Sequence, residues 1–409
     1  MRILFFSNWL PPIRSGSAYY TSSLAQALIR QGHEVMVVTL DWGPGDAPSR
    51  DLSFPIKVLP VVRLPQCRLF FNLKRVGVST TPLNFKRLKK IMAEFRPDMV
   101  HHVNHIFESI FLSGMAARAL KIPVVGSITT PIQHQNPLAQ ALMECTDRWS
   151  VGWFGVRKWD AIISLDRTVH DYVGKAYGKK VQEKSYVVPF GVRLEMQALY
   201  EQSVQKSPVP QILMAGHIHP FRNPVQLVRA MPLILKEIPN ARLILAGRVD
   251  LKDPVKAAQA LGLNERNLQF LGETPHDKMV ELMKTSHLFA SWVTGPYKSL
   301  GTAPMEAMLC RTPVMNDIPE DLFGEGKLKN GENFICVNSL DPQSIAQAAI
   351  KVLKEEALQK KIGEGGRRFV LDHLSWESIA NGVLKVYESV LQGKPSRKEL
   401  RLPEPLKSL

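Results

Sequence analysis

The sequence predicts an α/β protein of two doubly wound, Rossmann-like domains, and three observations carry that prediction. Short apolar runs alternate with helical stretches from the first residues onward. The alternation restarts at residue 211 after a polar stretch that ends in Pro208-Val209-Pro210. A chain of 409 residues also exceeds what one ordinary hydrophobic core serves.

The composition narrows the class. Hydrophobic content of 45% with 22% charged residues describes a globular chain rather than a disordered one. No stretch approaches the ~20 apolar residues of a spanning helix. The apolar run at residues 2–6 is too short for a signal peptide and reads as a first strand. Cys67, Cys145, Cys310 and Cys336 form no Cys-x-x-Cys pair, so neither a disulfide framework nor a zinc site is expected, and a cytoplasmic location is. A formal net charge of +15 predicts anionic partners: phospholipid surfaces, nucleic acid or polyphosphorylated substrates.

In chain order, residues 2–6 form an uninterrupted apolar run, as expected of a buried parallel strand. The loop Pro11-Pro12-Ile13-Arg14-Ser15-Gly16-Ser17 leads to a helix from about Ala18, with Tyr20, Leu24 and Leu28 on one face and Gly32 ending it. Residues 34–39 are the next strand. Residues 63–95 read as irregular and basic. Leu69, Phe70, Phe71 and Leu73 lie among cations there, a composition suited to an anionic bilayer surface. Strands follow at 97–102, 122–130, 159–164 and 187–192. In the second half, strands are expected at 211–215, 242–247, 267–272 and around 287–290. Trp376–Leu391 has the pattern of a final amphipathic helix.

Two stretches carry candidate chemistry. In 216–224, Gly216 opens a basic loop with His217 and Arg222, where cations and free amides suit a phosphate. In 298–314, Lys298 and Gly301-Thr302 precede a helix with Pro304 in its first turn and Glu306 soon after. Amides at a helix start favour an anion. The Gly-x-Gly-x-x-Gly dinucleotide signature follows none of the early strands. His101, His102, His105 and His134 carry no pattern that assigns them a catalytic role.

Gly301-x-x-x-x-Glu306-Ala307-Met308-x-Cys310-x-Thr312-Pro313-Val314 resembles the second half of the Glu-x(7)-Glu signature of retaining glycosyltransferases of group 1 (family 4-like). Pro11-Pro12, Gly32-His33-Glu34-Val35, Pro97-Asp98 and Val188-Pro189-Phe190-Gly191-Val192 resemble further motifs of that family, in order over residues 1–391. The resemblance implies a GT-B fold, two Rossmann-like domains facing a cleft. It also implies a nucleotide-diphosphate sugar as donor substrate, with no cofactor and no metal. By resemblance, Glu306 binds the donor ribose, Gly301 and Thr302 approach its phosphates, and Gly216 opens the diphosphate loop. Ser15 and Gly16 lie between acceptor and donor. This chain has Lys298 in place of the first glutamate, His217 and Arg222 in place of an arginine and a lysine, and Thr129 in place of a histidine. Arg222 and His217 are then the catalytic candidates, and Lys298 faces the donor sugar, where it would suit an acidic one.

The expected domains are 1–195 on the acceptor side, a linker at 196–210 and a donor domain at 211–374. A helix at 375–391 crosses back to the first domain, and a basic tail occupies 392–409. The expected function is transfer of a sugar to a hydroxyl of a glycan, lipid-linked or small-molecule acceptor, with retention. The alternative is an impaired relative that binds nucleotide sugars or glycans. Peripheral contact with an anionic membrane surface is a candidate interaction. Nucleic acid is not expected, because no helix-turn-helix, zinc or RNA-binding signature is present.

Overall fold

The structure, a computed structural model, describes residues 1–13, 15–49, 51–64, 77–134, 136–192, 197–202, 204–218, 220–222, 224–248 and 251–393. The chain divides into two compact units. One holds Met1–Gly191 together with the helix Trp376–Leu391, and the other holds Val192–Ser375.

The first unit is built on a seven-stranded sheet. Its strands are β1 (Arg2–Ser7), β2 (Glu34–Asp41), β3 (Ile56–Pro60), β6 (Met99–Val103), β7 (Val124–Ile128), β8 (Ala161–Ser164) and β9 (Ser185–Val187). The short β4 (Val62–Arg63) and β5 (Gly77–Val78) pair with each other instead. Sheet order is β3-β2-β1-β6-β7-β8-β9, and every pairing is parallel. β6, β7 and β8 are buried along their whole length, because helices cover both faces of such a sheet. The first helix runs Gly16–Arg30, two residues earlier than its hydrophobic pattern suggests, because the Ser15 hydroxyl caps it by accepting from the Ala18 amide at 3.0 Å.

The final helix closes this core. Trp376 packs edge-on against Tyr20 and Phe190, and its indole N–H donates to the Tyr19 hydroxyl at 3.2 Å. Residues 82–95, expected to be irregular, form a helix (Pro82–Phe95) with Leu88, Met92 and Phe95 buried. Its cations Lys86, Arg87, Lys89 and Lys90 sit on the exposed face. Leu69, Phe70, Phe71 and Leu73 lie outside the described residues, as does the basic tail from residue 394. Among the described residues no helix is long and apolar enough to cross a membrane.

The second unit has a six-stranded sheet of β10 (Gln211–Ala215), β11 (Arg242–Ala246), β12 (Leu268–Gly272), β13 (Leu288–Ala290), β14 (Val314–Asn316) and β15 (Ile335–Cys336). Its order is β12-β11-β10-β13-β14-β15, again all parallel. The helices Val225–Glu237 and Pro342–Lys354 share one hydrophobic cluster with these strands. The reversal of order between β10 and β13 marks a switch point, and ligands of such sheets bind at the carboxyl ends there.

Two histidines in β6 make the first unit sensitive to acid. His101 stacks on Phe5 at 4.8 Å and His102 on Phe6 at 5.5 Å. His101 also bonds the Tyr387 hydroxyl and lies 2.6 Å from the Ser127 hydroxyl. Burial lowers both imidazoles to about 3. In the unfolded chain they bind protons near pH 6.5, so the unfolded state holds more protons and stability falls as pH drops from there toward 3. Each histidine contributes a slope of about 1.4 kcal/mol per pH unit. Asp166, pushed up to about 6 by burial, opposes one of the two below that pH. Urea unfolding followed by tryptophan fluorescence should give a lower midpoint at pH 5 than at pH 7. Equal midpoints would contradict this account.

Candidate functional site

The loops at the carboxyl edge of the second sheet are stitched to one another by backbone bonds. The Gly216 amide donates to Ala246 O at 2.9 Å, Gly247 to Gly272 O at 2.7 Å and Ile218 to Arg248 O at 2.9 Å. The loop after β13 joins the set through Thr294, whose amide donates to Phe221 O at 2.8 Å. Gly247 has φ +126°, and a Cβ there would stand 2.1 Å from the Gly216 carbonyl oxygen. Only glycine permits that approach.

Arg222 lies where these loops meet. A Cβ at Gly216 would be 3.2 Å from its Nη1, and one at Gly301 would be 3.6 Å from its Nη2. The guanidinium therefore spans the two glycine loops that flank the switch point. Burial lowers its pKa, and among the described residues no carboxylate pairs with it. A desolvated cation of this kind gains most from an anion brought to it. Beside it, Arg248 Nη2 is 3.1 Å from His217 Nε2. Arginine can only donate, so this contact asks for the lone pair on Nε2.

Gly301, at φ +75°, caps the helix Thr302–Leu309 with no side-chain bond. The amides of Thr302 and Ala303 have no intrahelical partner, and Pro304 has no amide hydrogen to lose. Glu306, on the second turn, places Oε1 3.3 Å from His276 Nε2 at the start of the helix His276–Thr285.

Lys298, in the loop before that helix, is held by an acid. Its Nζ lies 2.6 Å from Asp317 Oδ2, just beyond β14. The same oxygen accepts from the Ser339 hydroxyl at 2.5 Å and the Ser339 amide at 3.2 Å. Burial works to raise the Asp317 carboxyl, but the Lys298 and Ser339 bonds outweigh it and hold it below its usual value. The reversed charge at Lys298 is thus balanced within the same unit.

Gly216, His217, Arg222, Lys298, Gly301, Thr302 and Glu306 all lie in the second unit, at or just beyond the carboxyl ends of its strands. His219 and Asn223 of the 216–224 loop lie outside the described residues. Ser15 and Gly16 belong to the first unit, after β1, where Ser15 is a helix cap and a Cβ on Gly16 would meet nothing within 4 Å. Thr129 follows β7 in that unit. His134 takes part in a local turn, its Nδ1 accepting from the Asn136 amide at 3.0 Å.

Sequence reasoning missed Arg248, His276, Asp317 and Ser339. Arg248 had a legible signal, because Ala246-Gly247-Arg248 repeats the Ala215-Gly216-His217 pattern at the end of the neighbouring strand. Asp317 follows directly on β14, a position that favours function in these sheets. Among the described residues no three His, Cys, Asp or Glu side chains gather as a metal set.

Two family models match the chain in tandem. Glycosyltransferase Family 4 matches residues 14–196, and Glycosyl transferases group 1 matches residues 196–369. The D-inositol 3-phosphate glycosyltransferase of Xylanimonas cellulosilytica is 24% identical over 400 residues, covering 93% of each chain. The sucrose-phosphate synthase of Thermosynechococcus elongatus superposes with a TM-score of 0.70 at 18% identity, covering 96% of this chain and all of that one. Anabaena HepE, solved in complex with UDP and glucose, gives 0.67 at 18% identity, with 95% and 100% covered. The chain belongs to the group 1 glycosyltransferases, has their GT-B fold, and is a transferase.

Proposed function

We propose that this chain moves a sugar from a nucleotide-diphosphate sugar to a hydroxyl of a glycan, lipid-linked or small-molecule acceptor, with retention at the anomeric carbon. The observation that carries the reading is the Arg222 guanidinium, partly desolvated, spanning the Gly216 and Gly301 loops with no carboxylate partner among the described residues. Support for a diphosphate there comes from the UDP and glucose bound by HepE. Retention rests on the resemblance around Glu306. Membership of a transferase family favours turnover over the binding-only alternative.

In this reading the bond between the anomeric carbon and the diphosphate oxygen breaks, and the acceptor oxygen bonds to that carbon from the same face. The acceptor proton passes to the departing phosphate. Arg222 and the Thr302 and Ala303 amides stabilise the negative charge that develops on the leaving group. Arg248 adds a second cation and fixes the His217 ring. Glu306, steadied by His276, accepts from the ribose hydroxyls. The Lys298–Asp317 pair has no net charge, so it gives no electrostatic reason to select an acidic donor sugar.

A thermal-shift screen of uridine, guanosine, adenosine and thymidine diphosphate sugars should yield a stabilising donor. At ~100 times its dissociation constant a ligand of the folded state adds about 2.7 kcal/mol. Glu306→Ala should abolish most of that shift, since hydrogen bonds to a charged group contribute about 1.5–3 kcal/mol. Arg222→Ala should lower kcat by about 10²–10³, with Arg222→Lys recovering part of it. A screen with no stabilising donor, or full activity in Arg222→Ala, would overturn the reading.

Lys298→Met should destabilise the second unit by stranding Asp317, and Lys298→Met with Asp317→Leu should restore much of the loss. Melting temperatures of the two variants test this. Equal losses would show that the pair is not coupled.

A further inference from the structure

The first unit carries an exposed apolar face. After β7 the chain enters the helix Pro137–Thr146, capped by Asn136, and continues as a π-helix over Asp147–Gly155. Leu138 and Leu142 of the first segment are 81% and 50% exposed, and Trp149, Trp153 and Phe154 of the second are 65%, 49% and 63% exposed. Leu138 and Leu142 lie four residues apart, as do Trp149 and Trp153, so each pair lies near one face of its own segment. Continuous π-helix of this length is rare, and π geometry recurs at functional sites.

These side chains are presented outward because the inner face is fixed. Met143, Asp147, Gly152 and Gly155 are buried. The hydroxyls of Tyr172 and Tyr177 donate to Asp147 Oδ2 at 2.8 and 2.7 Å. These bonds leave two indoles and a phenyl ring facing solvent, where a soluble surface gains nothing from them.

Cations border these side chains. The Arg157 guanidinium lies over the Trp153 ring at 5.0 Å, Arg148 Nη2 donates to Lys175 O at 3.3 Å, and Lys158 is exposed beside Arg157. Glu144 is the one exposed acid on the two helical segments. Aromatic rings flanked by arginine and lysine match the chemistry of a lipid headgroup boundary: indoles settle there and cations meet lipid phosphates. The net charge of +15 draws the chain toward such a surface.

We propose that the Leu138, Leu142, Trp149, Trp153 and Phe154 face is a docking surface for an anionic lipid bilayer. The surface acts at the membrane interface and does not span it. It is a different segment of the sequence from the basic stretch at 63–95 in which sequence composition places membrane contact. The proposal is independent of which donor the second unit takes.

Co-sedimentation of the full chain with vesicles tests it. Vesicles of phosphatidylcholine with phosphatidylglycerol should bind the protein, pure phosphatidylcholine vesicles should bind it less, and added salt should weaken the anionic binding. Trp149→Ala/Trp153→Ala/Phe154→Ala should reduce partitioning by about tenfold or more, with the melting temperature unchanged. Should the triple variant melt early, Trp149→Glu provides the same comparison with one exposed change. Unaltered binding by a folded variant, or no vesicle binding by the native chain, overturns the proposal. So does self-association in sedimentation velocity that the variant abolishes while native vesicle binding is absent, which would make the face a contact between copies.

Discussion

The reversal of strand order between β10 and β13 is the constraint on which the candidate site depends. On one side of it the chain leaves β10 through Gly216, and on the other it leaves β13 through the loop that ends at Gly301. Helices that start from the two strands lie on opposite faces of a doubly wound sheet, so a crevice opens between the loops. Arg222 reaches the edge of that crevice, close to both flanking glycines. A side chain at Gly216 would stand 3.2 Å from the guanidinium. The cation, the backbone amides and the helix start then act on one point. Their effect on an anion exceeds what each achieves alone, because the site is partly withdrawn from water.

The Lys298–Asp317 pair shows how a charge reversal at a site is accommodated. A lysine in place of an acid would leave an excess positive charge beside Arg222 and Arg248. Asp317 cancels it at 2.6 Å, and the two Ser339 donors keep that carboxylate ionised. The departure from the family pattern therefore reaches beyond one residue. It involves the ends of β14 and β15 as well as the loop after β13.

Much of the fold was legible because buried parallel strands are continuous apolar runs, as in residues 2–6, 211–215 and 242–246. The edge strands β3 and β15 were not. β3 is largely exposed and β15 has two residues, so neither carries enough apolar pattern to stand out. Glu306, Gly301 and Arg222 were legible as local patterns at element boundaries. The His276 contact to Glu306 spans 30 positions, and that of Asp317 to Lys298 spans 19. No local pattern encodes such pairings, which arise from strand order. The helix at Pro82–Phe95 was obscured for a different reason: four exposed cations masked the 88, 92, 95 spacing of its buried side.

The histidines separate by environment in a way that bears on the proposed reaction. His101 and His102 are fully buried, stacked on phenylalanines and lowered to about 3, so near neutral pH they serve as uncharged core members. His217 and His276 are exposed and lie against Arg248 and Glu306. After β7 this chain has Thr129, and His134 is engaged in a turn of its own. In the proposed reaction the proton of the acceptor hydroxyl passes to the leaving phosphate of the donor. In that proposal a phosphate oxygen held by Arg222 gains basicity as the glycosidic bond lengthens, so one group would carry both leaving and basic roles.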